Sequence, residues 1–196
     1  MKKTLAVLTI LSLLCTQKIN AQLEKGNVLV GTDLAKFNLG LNKNSGYDIN
    51  LSPKAAWFIN DNIALGGYAT LGVSKQNDAS ATVTTYGVGP MGRYYINKPN
   101  LNLLKHGRWF GEANVGIEGR NVSKGGGNTN GLGLGFGPGY AYFITPNIGL
   151  ETLLKYNGLV GFGNQTYQNN LSLNFGFQIY LPGKGTVNKV KSQEGM

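Results

Sequence analysis

The sequence predicts an all-β protein, an eight-stranded antiparallel up-and-down transmembrane β-barrel. Three observations carry that expectation. Apolar residues alternate with a period of two in segment after segment, connections alternate between short turns and longer polar loops, and one proline–aromatic motif ends the second, fourth and sixth segments. Together these are the pattern of a barrel that crosses a bilayer with strands.

The strands read in order as roughly 27–40, 46–59, 63–74, 82–96, 109–121, 131–144, 148–158 and 170–181. In the first, the apolar residues change parity between Leu34 and Phe37, so a bulge is expected there. The second alternates almost without error. Tyr47, Ile49, Leu51, Pro53, Ala55, Trp57 and Ile59 share one face, with Asp48, Asn50, Ser52, Lys54, Ala56 and Phe58 on the other. Asn60-Asp61-Asn62 turns the chain into the third strand, and 75–81 loops to the fourth. A longer connection, 97–107, leads to the fifth, which opens on Trp109-Phe110. The sixth sets Leu132, Leu134, Phe136, Pro138, Tyr140, Tyr142 and Ile144 against glycines at 131, 133, 135, 137 and 139, then Ala141 and Phe143. Thr145-Pro146-Asn147 turns into the seventh, and the eighth alternates from Leu171 to Leu181. The polar or glycine-rich loops at 42–45, 75–81, 122–130 and 159–169 fall at the opposite end from the short turns. A strand of about ten residues at ~3.3 Å each, tilted by about 40°, rises roughly 25 Å, the height of a lipid-facing apolar band.

The recurring motif is PKAAWFINDNIAL at 53–65, PMGRYYIN at 90–97 and PGYAYFITPNIGL at 138–150. Each time, proline is followed at +4, +5 and +6 by aromatic, aromatic, isoleucine. These copies end strands two, four and six, and the even strands all run toward the short turns. Trp57, Tyr94, Trp109, Tyr142 and Tyr180 are therefore expected to form an aromatic girdle at one membrane interface. The prolines lie mid-strand without an N–H to donate, so a bulge or ladder break is expected at each.

Alternation alone does not separate a barrel in lipid from a soluble one filled with apolar side chains. The second face decides it, being mostly Gly, Ser, Asn, Thr and Ala with few charges, which suits a narrow packed lumen better than a water-facing surface. Charged residues are 14% of the chain, against about 25% in typical soluble domains. Glycine, at 30 of 196 residues, is about twice its usual share.

Residues 1–21 read as a secretory signal peptide: Lys2 and Lys3 precede the apolar run Leu5–Leu14, and Ala21 offers a small cleavage residue. Residues 22–181 form the barrel, and 182–196 a short basic tail. The one cysteine, Cys15, lies inside the signal segment, so disulfide and thiolate chemistry are not expected. With Lys2, Lys3 and Lys18 removed, 15 of the 18 basic side chains remain against 9 acidic ones, a net charge of +6. The excess lies in the tail, at Lys184, Lys189 and Lys191, and in one connection, at Lys98, Lys105 and Arg108, so it does not make a nucleic-acid stripe, and an exported chain has no nucleic acid to meet.

With these residues in view, the chain resembles the small eight-stranded outer-membrane β-barrel proteins of the OmpA/OmpX/OmpW-like superfamily. The likeness is carried by L-x-P-x-x-x-W-F-I-x-D-N-I-A-L-G at 51–66 and G-P-M-G-R-Y-Y-I at 89–96. It is carried also by Asn174-Phe-Gly-Phe-Gln-Ile-Tyr-Leu181, which is similar to the terminal signal read by the outer-membrane assembly machinery. The resemblance implies a bacterial outer-membrane location, both termini in the periplasm, and outer-membrane lipid, lipopolysaccharide and the assembly machinery as partners. That signal usually ends the chain, whereas Pro182–Met196 follows it here.

Inward-facing charges make one candidate set: Asp33, Lys54, Arg93, Glu112, Glu118, Arg120, Glu151 and Lys155, with Asp48 near the top. Charges in a narrow low-dielectric lumen must be paired. Arg93 and Glu112 lie on strands that the 97–107 connection makes neighbours. The set reads as a structural salt-bridge network that plugs the barrel; the functional alternative is a charged constriction in a path for small or apolar solutes. Catalytic, cofactor and metal sites are not expected. His106 is the one histidine, it falls on the short-turn side, and no Ser/His/Asp set or Cys/His/Asp spacing is present. A lipid-modifying barrel enzyme therefore ranks third, behind a non-enzymatic barrel that is structural or binds through its outer loops, and behind the channel.

Overall fold

The computed structural model describes residues 23–41, 45–77, 79–96, 106–125, 127–162 and 167–183. The signal segment and most of the basic tail lie outside these, as do parts of several loops and of the 97–107 connection. Eight strands follow one another: β1 (Val28–Leu39), β2 (Tyr47–Asn60), β3 (Ile63–Lys75), β4 (Val83–Tyr95), β5 (Gly107–Val122), β6 (Thr129–Thr145), β7 (Ile148–Gly161) and β8 (Tyr167–Leu181). Each pairs antiparallel with the next, and β1 closes on β8 from Val28↔Leu181 to Leu34↔Phe175. The sheet is a closed barrel with no free edge, which lets a strand protein sit in lipid with its backbone satisfied. Among the described residues no helix is long and apolar enough to cross a membrane.

The outer face carries the apolar side chains. Leu71, Val88, Ile117, Phe136, Leu171 and Phe175 are each more than half exposed, and such residues recur around the whole circumference. A continuous band of that kind is far beyond the patches a water-soluble monomer exposes, and it faces lipid.

The expected bulge in β1 is present as a register shift between Leu34 and Lys36. Each strand proline leaves a gap in one ladder without shifting the register. Pairing of β2 with β3 jumps from Leu51 to Lys54, of β4 with β5 from Val88 to Met91, and of β6 with β7 from Phe136 to Gly139. The register on the other side of each proline runs on unbroken. A residue without an N–H is tolerated where the ladder toward the following strand is locally released.

Two register shifts lie beside the two-residue turns, between Phe58 and Asn60 and between Phe143 and Thr145. The bulged residues are Ile59 and Ile144, the isoleucines of the repeated motif. In these two copies the motif encodes an outward aromatic, an inward aromatic, and a bulge that tips the chain into its turn. The left-handed φ of 65° at Asn62 completes the first of these turns.

Candidate functional site

The inward residues of the short-turn half form two layers. The lower one is aromatic: Phe58, Tyr95, Phe110, Phe143 and Tyr180 are at most 3% exposed. Tyr95 stacks on Phe58 with ring centroids 5.9 Å apart, Phe110 lies 5.5 Å from Tyr95, and Phe143 lies 5.1 Å from Tyr180. Leu23, from the segment before β1, is buried in the same cluster.

Four of these aromatics are anchored in one way. The backbone N–H of Phe58, Tyr95, Phe143 and Tyr180 donates to the carbonyl of Asn27, Asn62, His106 and Asn147, at 2.9, 2.9, 2.8 and 2.8 Å. Each acceptor belongs to the connection preceding the neighbouring strand, so the inward aromatics are held at one rim around the barrel. Tyr180 is the fourth member of this series and does not belong to the girdle. The outward position beside it is held by Ile179, while the Tyr180 ring is 1% exposed and its hydroxyl donates to Glu151 Oε1 at 2.7 Å. Strand parity decides the matter: 180 is in phase with Gln178 and Asn174 on the inner face. Trp57, Tyr94 and Tyr142 do lie on the outer face, and Trp109 lies there half-buried against Tyr140.

Above the aromatic layer lies the ionic one. Lys54 Nζ donates to Asp33 Oδ2 at 2.5 Å and to Glu112 Oε2 at 2.8 Å. The Arg93 guanidinium reaches Glu112 Oε2 at 2.6 Å through one nitrogen and Glu151 at 2.8 Å through another. Lys155 Nζ stands 3.6 Å from Glu112 Oε1. Glu112 is therefore the hub, shared by three cations from β2, β4 and β7. Three buried carboxylates (Asp33, Glu112, Glu151) face three buried cations (Lys54, Arg93, Lys155), so the cluster is neutral. Arg93 also sits over the Phe110 ring at 4.2 Å and donates to the Tyr95 hydroxyl at 2.8 Å, joining the ionic layer to the aromatic one.

The expected charge set is thus brought together for six of its eight members. Glu118 stands higher and accepts a hydrogen bond from the Tyr68 hydroxyl at 2.8 Å. Arg120 is half-buried near the long-loop end, and no ion pair joins it to the cluster among the described residues. Sequence reasoning missed the neutral partners: Tyr95, Tyr180, Tyr68 and Gln178, whose amide donates to Asp33 at 3.0 Å. Inward parity marks each of them, but polar character at the tip of an aromatic ring carries no period of its own.

The inward glycines have a specific use here. A Cβ at Gly133 would fall on the Glu118 carboxyl, at Gly135 on the Asn114 and Lys155 side chains, and at Gly139 on the Phe110 ring. Across the closing seam, a Cβ at Gly176 would crowd Asp33. At Gly133, Gly135 and Gly139 the inner face of β6 is a shelf on which neighbouring strands lay their long side chains. Among the described residues no group of three or more His, Cys, Asp or Glu is placed to hold a metal ion.

No protein-family model matches the sequence, and no curated protein matches it significantly. Solved structures do. Neisserial surface protein A (NspA) is similar with a TM-score of 0.55 and 20% identity, covering 78% of this chain and 95% of that one. The N-terminal β-barrel domain of Pseudomonas aeruginosa OprF has a TM-score of 0.45 and 15% identity, covering 79% and 98%. Ail, the attachment invasion locus protein of Yersinia pestis, has a TM-score of 0.45 and 14% identity, covering 79% and 99%. An identity of this size shows the fold alone, and the likeness to NspA, together with the closed eight-stranded sheet, shows it: this chain has the fold of the small eight-stranded transmembrane β-barrels.

Proposed function

We propose that the chain is an integral bacterial outer-membrane protein whose barrel is a sealed, non-enzymatic scaffold, structural or binding an extracellular partner through its loops. The observation that carries this reading is the lumen: a neutral six-charge cluster backed by five buried aromatic rings occupies it at the short-turn end. An eight-stranded interior is only wide enough for side chains to fill, and here they fill it.

On this reading the short-turn end faces the periplasm and the loops face outward, where lipopolysaccharide forms the surrounding leaflet. The first and last described segments lie together: Asn27 Oδ1 accepts the Gly183 N–H at 2.9 Å. Trp57, Tyr94, Trp109 and Tyr142 are the girdle at that interface. The Asn174–Leu181 segment is the part that the assembly machinery would read during insertion. His106 is exposed at the periplasmic end, far from the outer leaflet where a lipid-modifying base would have to work.

Planar-bilayer recording of the purified protein tests the reading. The expected result is a silent bilayer for the wild type and for Glu112→Gln alike. Unitary steps in the wild type that change in Glu112→Gln would establish the narrow solute channel in its place. Lipid A mass spectra that differ between cells with and without the protein would establish the enzyme.

A further inference from the structure

The lipid-facing wall is not uniform. On the outer face of β3–β7 it carries a recess of about 590 Å³. Its floor is the cross-strand pair Gly92↔Ala113, and its walls are Leu65 and Pro90 on one side and Phe136 and Tyr156 on the other. The Phe136 and Tyr156 rings lie against each other at 5.3 Å, so that wall is rigid, as is the proline opposite. A Cβ on Gly92 would meet nothing nearer than the end of Leu65 at 3.2 Å, and one on neighbouring Gly111 would meet nothing within 4 Å. These are outward glycines facing open space, unlike the inward ones that make room for a neighbour.

Gly92 stands two residues from Tyr94, on the hydrocarbon side of the aromatic row. The recess is therefore continuous with the lipid-facing band, at a depth where water has no partners and acyl chains already cover the wall. We propose that it is a retention site for an acyl chain of a phospholipid, holding one lipid more firmly than the surrounding shell does. Between lipid and an apolar wall the hydrophobic effect contributes nothing, and the advantage comes from packing. A chain held on three sides by preformed walls gains dispersion contacts that a chain on a convex barrel lacks, with little ordering of the protein.

The site rests on the membrane reading above, and the test separates the two. The full chain is extracted from membranes in mild detergent, run boiled and unboiled on a gel, and examined by native mass spectrometry. The expected result is a band that shifts on boiling and a monomer carrying a single phospholipid adduct. Gly92→Leu, which fills the floor, removes the adduct, and Ala69→Leu, an outward residue beyond the recess, keeps it. If Gly92→Leu does not reach the heat-shifting form, Ala113→Leu makes the same intrusion from the paired strand. An adduct that persists in the filled variant overturns the site. So does a wild-type dimer that the variant dissociates, which would assign the recess to a second copy of this chain. Shifting protein without any adduct sinks the site alone, whereas protein that never shifts sinks the membrane reading.

Discussion

In the short-turn half of the lumen the inward residues are five aromatic rings beneath six paired charges, and all are buried. In the long-loop half Asn50, Thr70, Thr85 and Asn157 are half-buried, as are Glu118 and Arg120, and Tyr68, hydrogen-bonded to Glu118, is the large buried side chain. The wall is the same sheet in both halves, with the same strand number and the same width. What differs is how fully the inward side chains are buried and how densely they are paired. An eight-stranded barrel has so little interior that the choice of inward side chains, made strand by strand, decides whether it holds a pore, a cup or a plug. On the reading proposed above, it makes a cup with a sealed base. The sealed base must satisfy every charge it buries, which explains why the inner half has its hydrogen bonds so densely shared.

The comparison breaks most visibly at Glu112. Replacing it by Gln leaves Lys54, Arg93 and Lys155 facing two carboxylates, with a surplus charge in a dry layer. The expected cost is about 3–5 kcal/mol of folding stability, read from urea unfolding in lipid vesicles. A loss under a kilocalorie would mean that the base is wet and the halves are alike. A middle-sized effect is expected at Tyr180, where Phe keeps the ring and removes the hydroxyl. Glu151 and Tyr95 then lose a shared partner, and the same titration should fall by about 1–3 kcal/mol. The smallest effect belongs to the long-loop half. Glu118→Gln keeps an acceptor for Tyr68 at a half-exposed position, so a change below about 1 kcal/mol is expected. If Glu118→Gln proved as damaging as Glu112→Gln, the upper lumen would be sealed as well, and the cup would have to be redrawn as a solid plug.

Much of this was legible without coordinates. The parity change after Leu34 announced the bulge in β1, and Pro53, Pro90 and Pro138 announced the released ladders. Arg93 and Glu112 were placed side by side by counting strands, and they are paired in register. Aromatic character at a strand end suggests the girdle for Tyr180, but parity with the inward Gln178 and Asn174 puts its ring inside. The shelf formed by the β6 glycines could not be told from an open channel by sequence. Glycine marks a place where a side chain is missing, and only the neighbouring strands determine whether that place is filled.

By itself the sequence determined the strand number, the face that meets lipid, the ends at which turns and loops lie, and the residues that share the lumen. Those properties follow from a period of two and from turn chemistry, which act within a dozen residues. Tertiary structure decided the rest. Lys54 and Glu112 meet across 58 positions of chain, Arg93 and Glu151 across another 58, and Gln178 finds Asp33 across 145. Such partners are chosen by barrel closure and by how long side chains cross a narrow interior, and no local pattern in the chain encodes that geometry.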